Sequence, residues 1–170
     1  MVFIYSILSY IGITAPILLF LFTYFLLWKK PYSLLFYVAG FMVNGILNLT
    51  LKAIIRQPRP DEDKKTIELA LFNGKRFGPD IFGMPSGHAQ MVAYSLTYMF
   101  LTTHSFFWLV LYGILTIICL IQRYTSRNHT IEQIVVGTLL GSAFGAFMFM
   151  LSKKYLKGSI SFKPDDYAKM

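Results

Sequence analysis

Residues 85–129 read PSGHAQMVAYSLTYMFLTTHSFFWLVLYGILTIICLIQRYTSRNH, two apolar runs at 87–103 and 106–122 joined by the short turn Thr103-His104-Ser105. So tight a turn folds the two runs back on each other as a helical hairpin. The strings that flank them, Pro85-Ser86-Gly87-His88 and Arg123-Tyr-Thr-Ser-Arg-Asn-His129, therefore finish at the same end. Working outward, further apolar runs at 2–28, 32–55 and 130–151 bring the total to about five, each near the roughly 20 residues that cross a bilayer. Alternating crossings then place the end of the second run, the start of the third, the end of the fourth and the start of the fifth on one membrane face. A third string, Lys52-Ala-Ile-Ile-Arg-Gln-Pro-Arg59-Pro60, joins the other two there by parity alone. The expected fold is all-α, a polytopic membrane helical bundle. Residues 1–170 form one membrane-embedded domain, with a loop at 56–85 on the face that carries the strings and a polar tail at 152–170.

Composition supports this class. A chain that is 55% hydrophobic and 17% aromatic is too apolar for a soluble domain of its size. The net charge of +8 does not argue for nucleic acid, because the cations sit at the ends of apolar runs, where they meet phosphate head groups. Cys119, the single cysteine, lies inside an apolar run, so neither a disulfide framework nor a thiolate metal cluster is expected. The run from Val2 to Trp28 is longer than a secretory leader's apolar core and lacks a basic segment before it, so it is expected to remain as a membrane helix.

Orientation follows from the opposite face. Lys29, Lys30, Lys153, Lys154, Lys157, Lys163 and Lys169 cluster there, whereas the long loop mixes bases with Asp61, Glu62, Asp63, Glu68 and Asp80. The positive-inside bias then makes the C-terminus cytoplasmic and the three-string face lumenal or extracytoplasmic. In a eukaryotic setting this corresponds to the endoplasmic reticulum membrane.

The strings hold what phosphoryl transfer needs. A phosphoryl group in flight spreads charge over three equatorial oxygens, so fixed cations and amide donors must surround it, with a nucleophile and an acid in line. Lys52, Arg59 and Arg123 can supply the cations. Lys52 follows Asn44 and Asn48 at intervals of four, a polar stripe on one helical face, although an isolated lysine there would simply snorkel to the interface. Pro58 and Pro60 end the helix and hold Arg59 in an extended segment. Ser86 can cap a helix and Gly87 lets an anion approach the amides behind it. One turn after His129, Gln133 can accept from the imidazole Nδ1–H and turn Nε2 outward. Thr130-x-x-Gln133 reads equally as a capping box, and Glu132 is a second possible orienting partner or a favourable first-turn charge.

Lys-x6-Arg-Pro, then Pro-Ser-Gly-His, then Arg-x5-His resembles the type 2 phosphatidic acid phosphatase superfamily of membrane lipid phosphatases, over Lys52 to Gln133. The resemblance implies a metal-independent and cofactor-free hydrolase in which His129 is the nucleophile that forms a phosphohistidine and His88 the acid that protonates the leaving oxygen. It implies further that Lys52, Arg59, Ser86, Gly87 and Arg123 bind phosphate. Two positions depart from the superfamily's usual residues, Gln122 for serine and Gln133 for aspartate, and five spans stand where many members have six. Phe82-Gly-Met-Pro-Ser-Gly-His-Ala-Gln90 and His129-Thr-Ile-Glu-Gln133-Ile-Val-Val-Gly137 are similar to the dolichyl-diphosphatase branch, which implies a polyprenyl diphosphate as substrate. Arg56, Arg127, Lys75 and Arg76 are surplus cations suited to a second phosphate, as well as ordinary interfacial bases.

Alternatives are a phosphatidate or broad lipid-phosphate phosphatase and, in another class, a catalytically silent membrane-organising protein. Gly137, Gly141 and Gly145 form a small-residue stripe that serves either a homodimer or close packing inside one bundle. Asn128-His129-Thr130 matches a glycosylation sequon, expected to stay unmodified beside the nucleophile. His104 lies in the opposite turn, with no role expected.

Overall fold

The computed structural model of the chain describes residues 2–60, 76 and 78–156. Among these residues five α-helices follow one another: α1 (Val2–Leu26), α2 (Pro31–Ile55), α3 (Gly87–Thr103), α4 (Phe106–Thr125) and α5 (Ile131–Leu156), with a short 3₁₀ turn at Gly78–Ile81. Their limits follow the expected runs within a few residues. The tail expected from residue 152 begins as helix, because α5 continues to Leu156; the rest of it lies outside the described residues, as do residues 61–75 of the loop.

Local chemistry sets the turns. Pro31 opens α2, its missing N–H falling where a helix has no acceptor to offer. His104 ends α3 in the left-handed region, φ 52°, its N–H returning to the Phe100 carbonyl at 2.8 Å. Ser105 then starts α4 in extended conformation. That sequence of left-handed and extended residues is the tight reversal the apolar hairpin required.

Four of the helices, α1, α2, α4 and α5, are long and apolar enough to cross a membrane. They present Ile17, Phe25, Leu35, Ile54, Ile117 and Leu139 outward, as lipid-facing surfaces do. With 17 residues, α3 is shorter than a full crossing, and the reason is its position. It packs against every other helix and buries Ala89, Val92, Ala93, Tyr94, Tyr98 and Met99, so its surroundings are protein.

The closest approach is between α3 and α5. A Cβ on Gly137 would lie 2.5 Å from the Ser86 carbonyl oxygen, one on Gly145 would lie 2.8 Å from that of Tyr94, and one on Gly141 would fall onto the Gln90 main chain. The glycine stripe thus faces α3 of the same chain. Backbones this close gain dispersion contact without a hydrophobic driving force.

Buried polar groups tie the remaining seams. Tyr94 donates to the Tyr37 carbonyl at 2.9 Å, Tyr98 to the Ser33 carbonyl at 2.7 Å, and the Thr23 and Tyr112 hydroxyls pair at 2.9 Å. Nearer the three strings, Asn48 donates to Gln90 Oε1 at 2.8 Å, while the Gln90 amide donates to Asn44 Oδ1 at 2.7 Å. The polar stripe Asn44, Asn48, Lys52 is therefore the seam along which α2 is registered on α3, and Lys52 emerges from it at the site.

Candidate active site

The end of α2, the start of α3, the end of α4 and the start of α5 meet as parity requires. Around the resulting cradle, Lys52 donates to the Phe82 carbonyl at 3.1 Å. Arg59 Nη1 reaches the Asn128 carbonyl at 3.2 Å and stands 3.0 Å from His129 Nε2. Arg123, fully buried, donates from Nε to Gln122 Oε1 at 2.6 Å and brings Nη1 to 3.5 Å from His88 Nδ1. Its carbonyl accepts the His129 N–H at 3.3 Å, so one residue touches both histidines.

The protonation of His129 can be read from its neighbours. The Pro58 carbonyl can only accept, so the atom of Gln133 that meets it at 2.8 Å is the amide nitrogen. Gln133 Oε1 is then the atom 3.2 Å from His129 Nδ1, which must carry the hydrogen. That leaves the Nε2 lone pair facing outward, toward an arginine that can only donate. Burial of the imidazole, followed by the positive charges of Arg59, Lys52 and Arg123, holds His129 well below the usual histidine range against a smaller opposing effect of Gln133. The ring is neutral at physiological pH, the state a nitrogen nucleophile needs.

Gln133 also completes the capping box: the Thr130 N–H donates to its Oε1 at 3.2 Å, and its own N–H to Thr130 Oγ1 at 3.3 Å. The two readings of this glutamine hold together. Glu132 is exposed and lines an open cavity of about 650 Å³ with Pro60, Tyr124, Arg127, His129 and Thr130. The imidazole hydrogen bond goes to Gln133.

At the start of α3, Ser86 leads the helix without a side-chain cap. Its N–H is taken by the Gln133 carbonyl at 3.0 Å, so the amides able to meet an anion are those of the first turn from Gly87 onward. Ser86 Oγ is fully buried with no hydrogen-bond partner. A buried hydroxyl in that condition is costly, and a phosphoryl oxygen would satisfy it. A side chain on Gly87 would crowd Asn48, whose Oδ1 would lie 3.1 Å from its Cβ.

His88 differs from expectation in its surroundings. Its Nε2 donates to the Ile13 carbonyl of α1 at 3.1 Å, which leaves Nδ1 as the nitrogen on the Arg123 side. The surplus cations divide. Arg76 bonds Asn128 Oδ1 at 3.0 Å and Arg127 lines the cavity beside His129. Arg56 folds onto its own helix, Nε to the Ala53 carbonyl at 2.8 Å, and Lys75 lies outside the described residues. Asn128 is buried, with Nδ2 on Ser126 Oγ at 2.8 Å, so the sequon amide is not presented to solvent.

Three participants escaped sequence reasoning. Asp80 bonds Lys52 and Arg59. Gln57 accepts from Gln133 Nε2 at 3.0 Å and, through its carbonyl, from the Gly83 N–H at 2.7 Å. Gly83 itself makes room for Gln133, since a Cβ there would lie 2.5 Å from both amide atoms. All three lie outside the α-helices, so helical periodicity gave no signal.

The arrangement can hold a phosphoryl group among three cations and a helix N-terminus and present His129 Nε2 to it, while His88 reaches the site only through Nδ1. Comparison with known proteins agrees in kind. The sequence profile of the PAP2 superfamily matches residues 33–157. A relative, a dolichyldiphosphatase of Saccharomyces cerevisiae, is 27% identical over 127 residues, which make up 66% of this chain and 48% of that protein. The chain thus spans about half the length of the curated relative it matches. No solved structure matches it significantly.

Proposed function

The chain belongs to the PAP2 superfamily, and from that membership and the site geometry we propose that it is a membrane phosphatase converting a polyprenyl diphosphate to the monophosphate and phosphate. The observation that carries the chemistry is the line Pro58 carbonyl, Gln133 amide, His129 imidazole, which fixes an Nε2 lone pair toward the cationic cradle. Attack of that lone pair on the terminal phosphorus forms a P–N bond while the bridging P–O bond breaks. A proton carried on His88 Nδ1, the nitrogen not held by the Ile13 carbonyl, neutralises the departing prenyl monophosphate oxygen. Water then attacks the phosphohistidine, giving up a proton to His88, and phosphate leaves with His129 restored.

Lys52, Arg59 and Arg123 bear the transition-state charge that a metal pair bears in other phosphatases. Their positive field disfavours a metal cation at the same place. Arg76 and Arg127, at the rim, suit the second phosphate. The named activity of the yeast relative supports the diphosphate reading, as does the Gln133 form of the third motif. The lysine bias, with Lys29, Lys30, Lys153 and Lys154 at the far ends of the helices, supports a site outside the cytoplasm, which in eukaryotes would be the lumenal side of the endoplasmic reticulum. Labelling of Ser126→Cys by an impermeant reagent, in a Cys119→Ala background, tests this side.

The substrate is tested by phosphate release from purified protein with dolichyl diphosphate, undecaprenyl diphosphate, phosphatidate and a short diphosphate lacking a lipid tail. A prenyl diphosphate should give the highest kcat/KM, and the tail-less compound should lose most of it. Phosphatidate turning over as fast as dolichyl diphosphate would remove the diphosphate assignment and leave a general lipid phosphatase.

A further inference from the structure

The cations just assigned to the phosphate already hold an anion. Asp80 Oδ1 accepts from Lys52 Nζ at 2.6 Å and from Arg59 Nη2 at 3.2 Å, and its Oδ2 lies 3.7 Å from Arg76 Nη1. The burial is asymmetric: the Lys52 and Arg59 side chains are 1% and 3% exposed, that of Asp80 46%. The carboxylate therefore covers the cradle from its open side.

We infer that Asp80 is a resident anion of the phosphate site and, by having to be outbid, determines how much negative charge a substrate headgroup must carry. The inference rests on the phosphatase reading for its consequence in turnover, and on geometry alone for the competition.

Two buried cations facing each other without a counter-charge would be costly, and Asp80 provides that charge. The cations do not depend on it for their positions. Lys52 keeps the Phe82 carbonyl, and Arg59 keeps the Asn128 carbonyl and the main-chain carbonyl of Asp80 at 2.9 Å. The turn that carries Asp80, Gly78–Ile81, begins at a glycine with φ 56°.

An incoming headgroup must displace the carboxylate or share Lys52 and Arg59 with it. A singly charged phosphodiester offers those cations no more charge than Asp80 does and gains little. A terminal phosphate dianion offers more charge and a third oxygen, and a diphosphate adds a second group within reach of Arg76. Like charges brought together at a binding site reject the weaker competitor, so the resident carboxylate grades lipid phosphates by charge and favours the diphosphate.

The test is titration of the purified full-length chain with inorganic phosphate, in wild type, Asp80→Asn and Asp80→Ala. Both variants should bind phosphate about tenfold more tightly, with lipid monophosphate gaining in kcat/KM relative to lipid diphosphate. Unchanged or weaker phosphate affinity in both variants, at a wild-type melting temperature, would overturn the inference and make Asp80 a support for Lys52 and Arg59. The two readings fail separately: absence of phosphate release from every lipid by wild type sinks the phosphatase, whereas the phosphate titration reports on Asp80 with or without turnover.

Discussion

An aspartate at position 133 would accept the His129 Nδ1–H bond, yet it has no hydrogen to give Pro58. In this chain the Gln133 amide nitrogen serves both the Pro58 carbonyl, 2.8 Å away, and Gln57 Oε1, 3.0 Å away. Gln57 can turn over to face a carboxylate; the Pro58 carbonyl cannot, and it would stand opposite a buried negative charge. Because Pro58 precedes Arg59, that repulsion would move the guanidinium that lies against His129 Nε2. An unsatisfied buried group costs about 1–3 kcal/mol, so Gln133→Asp should lower kcat/KM about tenfold or more. Wild-type kinetics in that variant would show that only the accepting oxygen matters. The interval of four from His129 to Gln133 made the accepting half of this role legible in the sequence. The donating half was hidden, because its partners lie in an extended segment more than 70 residues earlier. Asp80 was visible only as one acid in a mixed loop, since nothing in its neighbours' spacing tells which basic residues it will meet.

At the scale of helices, α3 is the element whose context the sequence disguised. Read as an apolar run it was one more crossing, while in the bundle it is a 17-residue core helix enclosed by the other four. Its Gln90, Ser95, Tyr94 and Tyr98 are affordable because protein partners satisfy them. The glycine stripe of α5 was legible as a close-packing surface, though spacing alone does not say whether the second helix belongs to the same chain. Here it is α3, and the contact positions both Ser86 and Gln90. A Gly141→Leu side chain would drive into the Gln90 main chain, an overpacking of about 1–3 kcal/mol or more, and would pull Gln90 off Asn44 and Asn48. The expected result is a lower melting temperature in detergent together with reduced activity. An unchanged melting temperature with an altered oligomeric mass would instead assign the stripe to an interface between chains.

For the whole molecule, parity was enough to bring three distant strings to one end of the bundle, because the strings are separated by an even number of the described helices, two between Pro85-Ser86-Gly87-His88 and the string that ends at His129. What parity does not set is the depth at which each group sits, and depth decides the chemistry here. His129 is buried beneath Arg59, deep enough to be held neutral, whereas Asp80 remains half in solvent over the same cations. The bundle therefore places a neutral imidazole nitrogen inside a cationic cradle, and the covalent chemistry proposed for it should be visible directly. Rapid acid-free quenching of wild type with lipid diphosphate labelled on the terminal phosphorus should trap an acid-labile, base-stable phosphoenzyme at His129, absent from His129→Ala, which should also fail to release phosphate. Equal phosphate release by His129→Ala, or label found on another residue, would contradict the account.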